Sequence, residues 1–264
     1  MNQTLAEGPP IWGILAFKDQ LYVGRSGGHI EIYSIPTLSF QRSLTIPGLG
    51  CIDDMTSCPG CDVLFISDHC NNLTHVIDGR GLAVSWKVDD TPSGLSVNSH
   101  LNVLITFTGV RKLREFTPSG QLVREISLQS DMTYPKHAIQ LDNQRYAVVH
   151  GKTNSTGLHR VCIVNSIGTI IQSYGGNKGS GLGQLHSPLR LAVFGGSIIV
   201  SDYNNKRLLL FNSSTLTFIR EIMSSDRWPI QMSIDENGNR LYLAENTFGY
   251  TNGRMKVIDL VWNL

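Results

Sequence analysis

Long apolar runs are missing from this 264-residue chain. Stretches such as Ser197-Ile198-Ile199-Val200 are cut by polar residues within about ten positions, well short of the ~20 residues a membrane-spanning helix needs. No helical span is expected. An excess of either charge is also missing, since 22 Lys and Arg face 21 Asp and Glu and leave a formal charge of +1. The broad basic footprint of a duplex-binding domain is therefore absent. Met1 to Pro10 contains neither a basic segment nor an apolar stretch of roughly 7–15 residues, so no secretory leader is expected. The five cysteines are an odd number, which argues against a fully paired disulfide framework and fits a reducing compartment. A cytoplasmic location is the expectation, and four sequons at Asn2, Asn72, Asn154 and Asn212, near chance in a chain rich in Asn, Ser and Thr, do not change it. Sustained 3.6-residue periodicity with caps is absent, which disfavours a helical solenoid. No motif-placed Ser, His and Asp triad occurs, so nucleophilic hydrolysis has no support.

What the chain does contain is an internal repeat. Leu64 to Asp78 aligns with Ile198 to Asn212, each with two apolar runs flanking an Asn-Asn turn. A hydrophobic-small-X element recurs as Val23-Gly24-Arg25, Ile66-Ser67-Asp68, Ile105-Thr106-Phe107, Val148-Val149-His150, Val200-Ser201-Asp202 and Leu243-Ala244-Glu245. Its X positions lie 43, 39, 43, 52 and 43 residues apart. A second marker precedes each, at Trp12, Cys51, Pro92, Pro135, Pro188 and Pro229, with intervals of 39, 41, 43, 53 and 41. Two markers with one period near 40–45, built from short strands, indicate propeller blades. The expected fold is all-β, a six-bladed β-propeller of four-stranded antiparallel blades in a single domain, 1–264. The blades fall at about 11–47, 51–88, 91–129, 134–176, 186–224 and 227–264. In the fifth, strands are expected at Leu189 to Val193, Ser197 to Ser201, Arg207 to Phe211 and Thr217 to Ile222. The segment Arg254 to Trp262 reads as a third strand of the sixth blade, with Asn2 to Ala6 as the strand that completes it.

One blade carries a family resemblance. Ser173-Tyr174-Gly175-Gly176, then Gly183 to Val193 with His186-Ser187-Pro188, then Ile199-Val200-Ser201-Asp202-Tyr203-Asn204-Asn205-Lys206-Arg207, resembles the NHL repeat of the tripartite-motif NHL proteins. The resemblance implies a partner-recognition role within a larger assembly of ubiquitin-ligase type, although no RING or B-box signature occurs here. It also implies RNA as a ligand class that is possible but not favoured.

Propeller topology gathers the ends of the second strands and the starts of the first strands on one face. The candidate ligand-binding rim is therefore Arg25, Asp68, His137, His150, Arg190, Asp202 and Glu245, with Phe107, Asp53 and Gln231 alongside. The competing expectation for Asp68 and Asp202 is that they accept N–H bonds from the turns that follow them. An alternative reading is a metal-dependent lyase or lactonase, with His137, His150 and either Asp202 or Glu245 as ligands. Cys58-Pro59-Gly60-Cys61, with Cys51 and Cys70 nearby, offers thiolates for zinc in principle, but its Pro-Gly centre suits a hairpin turn and the cysteines read as inert. Gly175 to Gly183 has neither P-loop spacing nor a following helix and reads as a flexible inter-blade connection. Arg111-Lys112-Leu113-Arg114 and Lys206-Arg207 read as solvated faces. The resulting expectation is a non-enzymatic binding or scaffold module without cofactor or resident metal. Its ligand is a protein partner or a polar molecule, and it acts as a monomer or as part of a larger chain or assembly.

Overall fold

The computed structural model describes residues 3–4, 7–78, 81, 83–152, 157–235 and 237–260. Strand β1 (Gln3–Thr4) stands first, and blade one follows as β2 (Ile11–Phe17), β3 (Gln20–Arg25), β4 (His29–Ser34) and β5 (Phe40–Thr45). Blade two is β6 (Ile52–Cys58), β7 (Val63–Asp68), β8 (Leu73–Asp78) and β9 (Ala83–Lys87), and blade three is β10 (Pro92–Val97), β11 (Val103–Phe107), β12 (Lys112–Phe116) and β13 (Leu122–Ser127). Blade four is β14 (Pro135–Gln140), β15 (Arg145–His150), β16 (His159–Asn165) and β17 (Ile170–Gly176). Blade five is β18 (Pro188–Phe194), β19 (Ser197–Asp202), β20 (Arg207–Asn212) and β21 (Phe218–Ser224). Blade six is β22 (Trp228–Asp235), β23 (Arg240–Asn246) and β24 (Gly253–Asp259). Each blade is an antiparallel meander, and β1 supplies the fourth strand of blade six in the sheet order β1-β24-β23-β22. The expected latch is present, with Gln3 opposite Val257 and Thr4 opposite Lys256. Trp262 lies outside the described residues. No helix among them is long and apolar enough to cross a membrane.

The core is distributed in six clusters, each between two neighbouring blades. Leu15, Ile30 and Met55 with Ile66 join blades one and two, and Ile11, Ile14 and Val23 with Tyr242 and Met255 join blade six back to blade one. This explains the strand pattern. Second strands such as β11 and β19 are buried along their whole length because a blade covers each face, so they read as continuous apolar runs. Fourth strands such as β5 lie at the outer edge and are mostly exposed.

The cysteines correct the sequence reading. Cys51 is bridged to Cys70 and Cys58 to Cys61, leaving Cys162 free and buried. Residues Ile52 and Asp68 are register partners, which brings the residues just beyond them, Cys51 and Cys70, within 5.4 Å between Cα atoms. The Cys58–Cys61 pair closes the hairpin turn at the far end of β6. A four-thiolate zinc site is excluded, since one strand length, roughly 20 Å, separates the pairs. The argument from unpaired cysteines to a reducing compartment loses its premise. The Gly-rich connection is also more firmly held than expected. Arg207 donates to the carbonyls of Ser180 and Gln184, and Asn205 to that of Gly179.

Candidate functional site

In all six blades one register pair links the first two strands at the same height: Ile11 with Arg25, Ile52 with Asp68, Pro92 with Phe107, Pro135 with His150, Pro188 with Asp202 and Pro229 with Glu245. The X positions read from the sequence are thus structurally equivalent. The first-strand markers are equivalent in four blades, but in blades one and two the matching residues are Ile11 and Ile52 rather than Trp12 and Cys51.

All six X side chains are buried, at 7% exposure for Arg25 and 0% for the others. The carboxylate of Asp68 accepts the N–H groups of Gly50, Cys51 and Cys70 and the side-chain donors of Asn71 and His75. Burial acts to raise its pKa, but these donors prevail and hold it down at about 2. Asp202 accepts from the His186 N–H, Asn205 and Arg207, and Glu245 from Arg254 and Lys256. Arg25 donates to Glu31 and to the carbonyl of Pro9. Arg160 donates to Nε2 of His150, and burial together with the Arg160 charge depresses the His150 pKa to about 4. Each acid of the supposed negative ring therefore has its own donors. The residues proposed for a two-His-carboxylate metal set are not assembled, since the described residues bring no such group of His137, His150, Asp202 and Glu245 ligand atoms within 4.8 Å.

A further regularity was invisible in the sequence. Directly after the register pair each first strand carries one extra residue, a bulge repeated in all six blades. Bulges re-aim side chains, and here they surround the channel. Trp12, Asp53, Lys136, Leu189 with Arg190, and Ile230 come from five of these bulges and wall a chamber of about 170 Å³ at the channel mouth, completed by Tyr203 and Tyr250. The sixth bulge holds Gly94, where a Cβ would meet His137 Cδ2 at 2.5 Å and the Lys136 carbonyl at 2.6 Å. Only a glycine permits that approach.

Arg190 forms the floor. Its guanidinium crosses the channel from blade five to the opposite blade two, donating to the Asp53 carbonyl at 2.6 Å and to Gln231 Oε1 at 2.9 Å. Gln231 in turn donates to the same carbonyl at 2.5 Å. Arg190 lines both the mouth chamber and a lower cavity walled by Leu15, Thr56, Ile139 and Ile234, so it is a septum across the channel. His137 sits beneath it as a neutral stitch. The Leu191 N–H donates to Nδ1, so Nε2 carries the proton and donates to the Leu95 carbonyl, joining blades three, four and five. Burial lowers the His137 pKa against the opposing charge of Asp54.

Lys136 differs from Arg25 and Arg190, the other two rim cations. It lines the chamber with no hydrogen-bond or ion-pair partner among the described residues, and burial lowers its pKa, opposed by Asp53 and reinforced by Arg190. The Asp53 carboxylate is engaged by Ser93 Oγ and lies 3.6 Å from Arg190. Above the chamber, Trp12 packs against Tyr250 at 4.9 Å between ring centroids, and the Tyr250 and Tyr203 hydroxyls are hydrogen bonded. Trp12 and Asp53 also line an open groove of about 460 Å³ with Arg25, Gly27, Gly28 and Gly50, so chamber and groove adjoin. Sequence reasoning missed Lys136, Tyr203 and Tyr250 as wall residues. Most of the basic-cluster residues are paired: Lys112 with Glu125, Arg114 with Asp90 and Glu125, and Arg207 with Asp202.

These observations define the class as an all-β, six-bladed propeller with a plugged channel and a polar, aromatic-rimmed mouth. Among solved structures the chain is similar to the β-propeller domain of Cps50 (Swd1) from Myceliophteria thermophila, with a TM-score of 0.68 and 10% identity over 99% of this chain and 100% of that one. It is also similar to the catalytically inactive virginiamycin B lyase of Staphylococcus aureus solved with quinupristin, at 0.63 and 12% over 98% and 100%. Hydrazine synthase of Kuenenia stuttgartiensis gives 0.62 and 16% over 89% and 73%. At such identities the likeness shows the fold alone. No family model matches the chain, and no curated protein matches it.

Proposed function

We propose that residues 1–264 act as one NHL-like propeller and as a non-enzymatic binding module that draws a segment of a protein partner into the channel mouth. The observation that carries this reading is the half-buried Lys136 side chain, which lines the chamber with no hydrogen-bond or ion-pair partner among the described residues. Partial burial disfavours such a lone charge, and an occupant bringing carbonyl or carboxylate oxygen supplies bonds to it. The chamber is the size of one side chain, while the adjoining groove is open and lined partly by glycine backbone. That division suits an extended peptide with one inserted side chain better than a compact small molecule, which usually fills roughly 300–1,000 Å³. The aromatic cluster of Trp12, Tyr203 and Tyr250 has the composition of a recognition hot spot, and the NHL resemblance of blade five supports a protein ligand. The test is affinity capture with quantitative proteomics, using the immobilised chain and its Lys136→Ala and Lys87→Ala variants, with free chain as competitor. A partner that competes away, is retained by Lys87→Ala and is reduced at least tenfold by Lys136→Ala is the expected result. Capture unaffected by Lys136→Ala, or no saturable partner at all, would overturn the reading.

A further inference from the structure

Beside the groove, on the same face, three metal-ligating side chains meet independently of the peptide reading. Cys51 opens blade two, His69 and Cys70 follow β7, and one ligand atom from each lies within 4.8 Å of the others. The two sulfurs are joined as a disulfide. What holds the corner together is more than that bond. Asp68, buried beneath it, accepts the N–H groups of both Cys51 and Cys70, and the His69 N–H donates to the Cys51 carbonyl at 3.3 Å. Both arms therefore stay anchored to one carboxylate when the sulfurs are separate. Cys70 and His69 are exposed, within reach of a reductant and of ions, and Cys51 and His69 form part of the groove wall.

We propose that reduction of the Cys51–Cys70 disulfide converts this corner into a Cys2His site for Zn²⁺ with one position open toward the groove. A dithiol reductant supplies two electrons and two protons. The S–S bond breaks, two thiols form, and the reductant becomes the disulfide. On metal binding the two thiols release their protons to solvent, and both thiolates and one ring nitrogen of His69 donate electron pairs to the ion. Two thiolates balance the dication, and the soft donor set favours zinc over magnesium or calcium. Tetrahedral ligation at about 2.3 Å places two sulfurs about 3.8 Å apart, so the sulfurs must part from bonding distance by side-chain rotation while the Cα atoms can stay near their present 5.4 Å separation. Three protein ligands and an open fourth position are the arrangement of a zinc ion that still binds an exogenous group. The corner is thus a redox-gated site, closed to metal as the disulfide and open to it as the dithiol.

The experiment uses the full chain, reduced with a phosphine, desalted without oxygen and titrated with Zn²⁺ against a chromogenic chelator. The same titration is run on oxidised protein and on the Cys51→Ser/Cys70→Ser, Cys58→Ser/Cys61→Ser and His69→Ala variants. Reduced wild type and Cys58→Ser/Cys61→Ser should each take up one equivalent, oxidised wild type and Cys51→Ser/Cys70→Ser none, and His69→Ala should bind at least about tenfold more weakly. Uptake by Cys51→Ser/Cys70→Ser equal to wild type, or none by the reduced wild type, overturns the proposal. Alkylation of the reduced wild type gives a readout that does not depend on any variant folding. Zn²⁺ should slow modification of Cys51 and Cys70 by tenfold or more, and unchanged rates overturn the proposal.

Discussion

Asp68 is the most heavily bonded carboxylate of the ring, and replacing it with asparagine tests whether the X positions act as knots between chain segments. One oxygen accepts from the Cys51 and Cys70 N–H groups and the other from Gly50, Asn71 and His75. An asparagine there keeps the shape but has one acceptor oxygen, so in either orientation its NH₂ group faces donors and leaves at least two of them unsatisfied. At about 1–3 kcal/mol for each, the cost is on the order of 3 kcal/mol, or a fall in Tm of roughly 6–12 °C for a domain of this size. The pH dependence has a definite sign. The folded pKa of about 2 lies below the unfolded value of about 3.9, so the charge stabilises fully above pH 4 and this contribution is lost as pH falls toward 2. Urea unfolding of wild type and Asp68→Asn should therefore differ by the full amount at pH 7 and by about 1 kcal/mol less at pH 3. Other carboxylates titrate in both proteins and cancel in the difference. A gap below about 0.5 kcal/mol at pH 7, or one that widens in acid, would refute the knot.

Two further predictions concern the channel and the ring. Gly94→Ala puts a methyl group 2.5 Å from His137 Cδ2 and 2.7 Å from His137 Cα, contacts that backbone cannot relieve, so chemical unfolding should show a loss of about 1–3 kcal/mol. An unchanged midpoint would show that blade three tolerates a side chain there. Deleting residues 1–8 removes the β1 pairing and the two bonds between Gly8 and Gly253, about four main-chain bonds worth roughly 2–4 kcal/mol together. Thermal melts of full-length and shortened chains that coincide would show that this strand does not latch the ring.

The architecture was readable because a repeat states the same instruction six times. Apolar runs such as Ile198-Ile199-Val200 mark strands covered on both faces, and the Asn-Asn and Gly-Gly turns mark their ends. The candidate site was less readable, for a geometric reason. A bulge adds one residue without any compositional sign, so in blade one the marker falls on the bulge residue Trp12 rather than on Ile11, and Lys136 reads as no more than the neighbour of Pro135. The repeat spacing places Asp68, Asp202 and Glu245 at equivalent register positions, yet no residue type announces that Asp68 faces the N–H groups of Gly50 and Cys51 across eighteen positions or fewer. Arg190 was placed near the mouth, but its reach to Asp53 depends on which blades stand opposite. The cysteine pairing follows from register between β6 and β7, a property of two strands together.

The closure of blade six has a consequence for biosynthesis. Its outer strand, β1, precedes every other described strand in the chain, and its other three, β22 to β24, follow all the rest. Blades two to five can form as their residues leave the ribosome, since each pairs only within itself and packs on its predecessor. Gln3 and Thr4, by contrast, have no pairing partner until Lys256 and Val257 follow, and until blade six forms, the face of blade one that packs on Tyr242 and Met255 stays uncovered. Closure of this ring is thus the most non-local strand pairing among the described residues, the kind of contact that forms late and slowly.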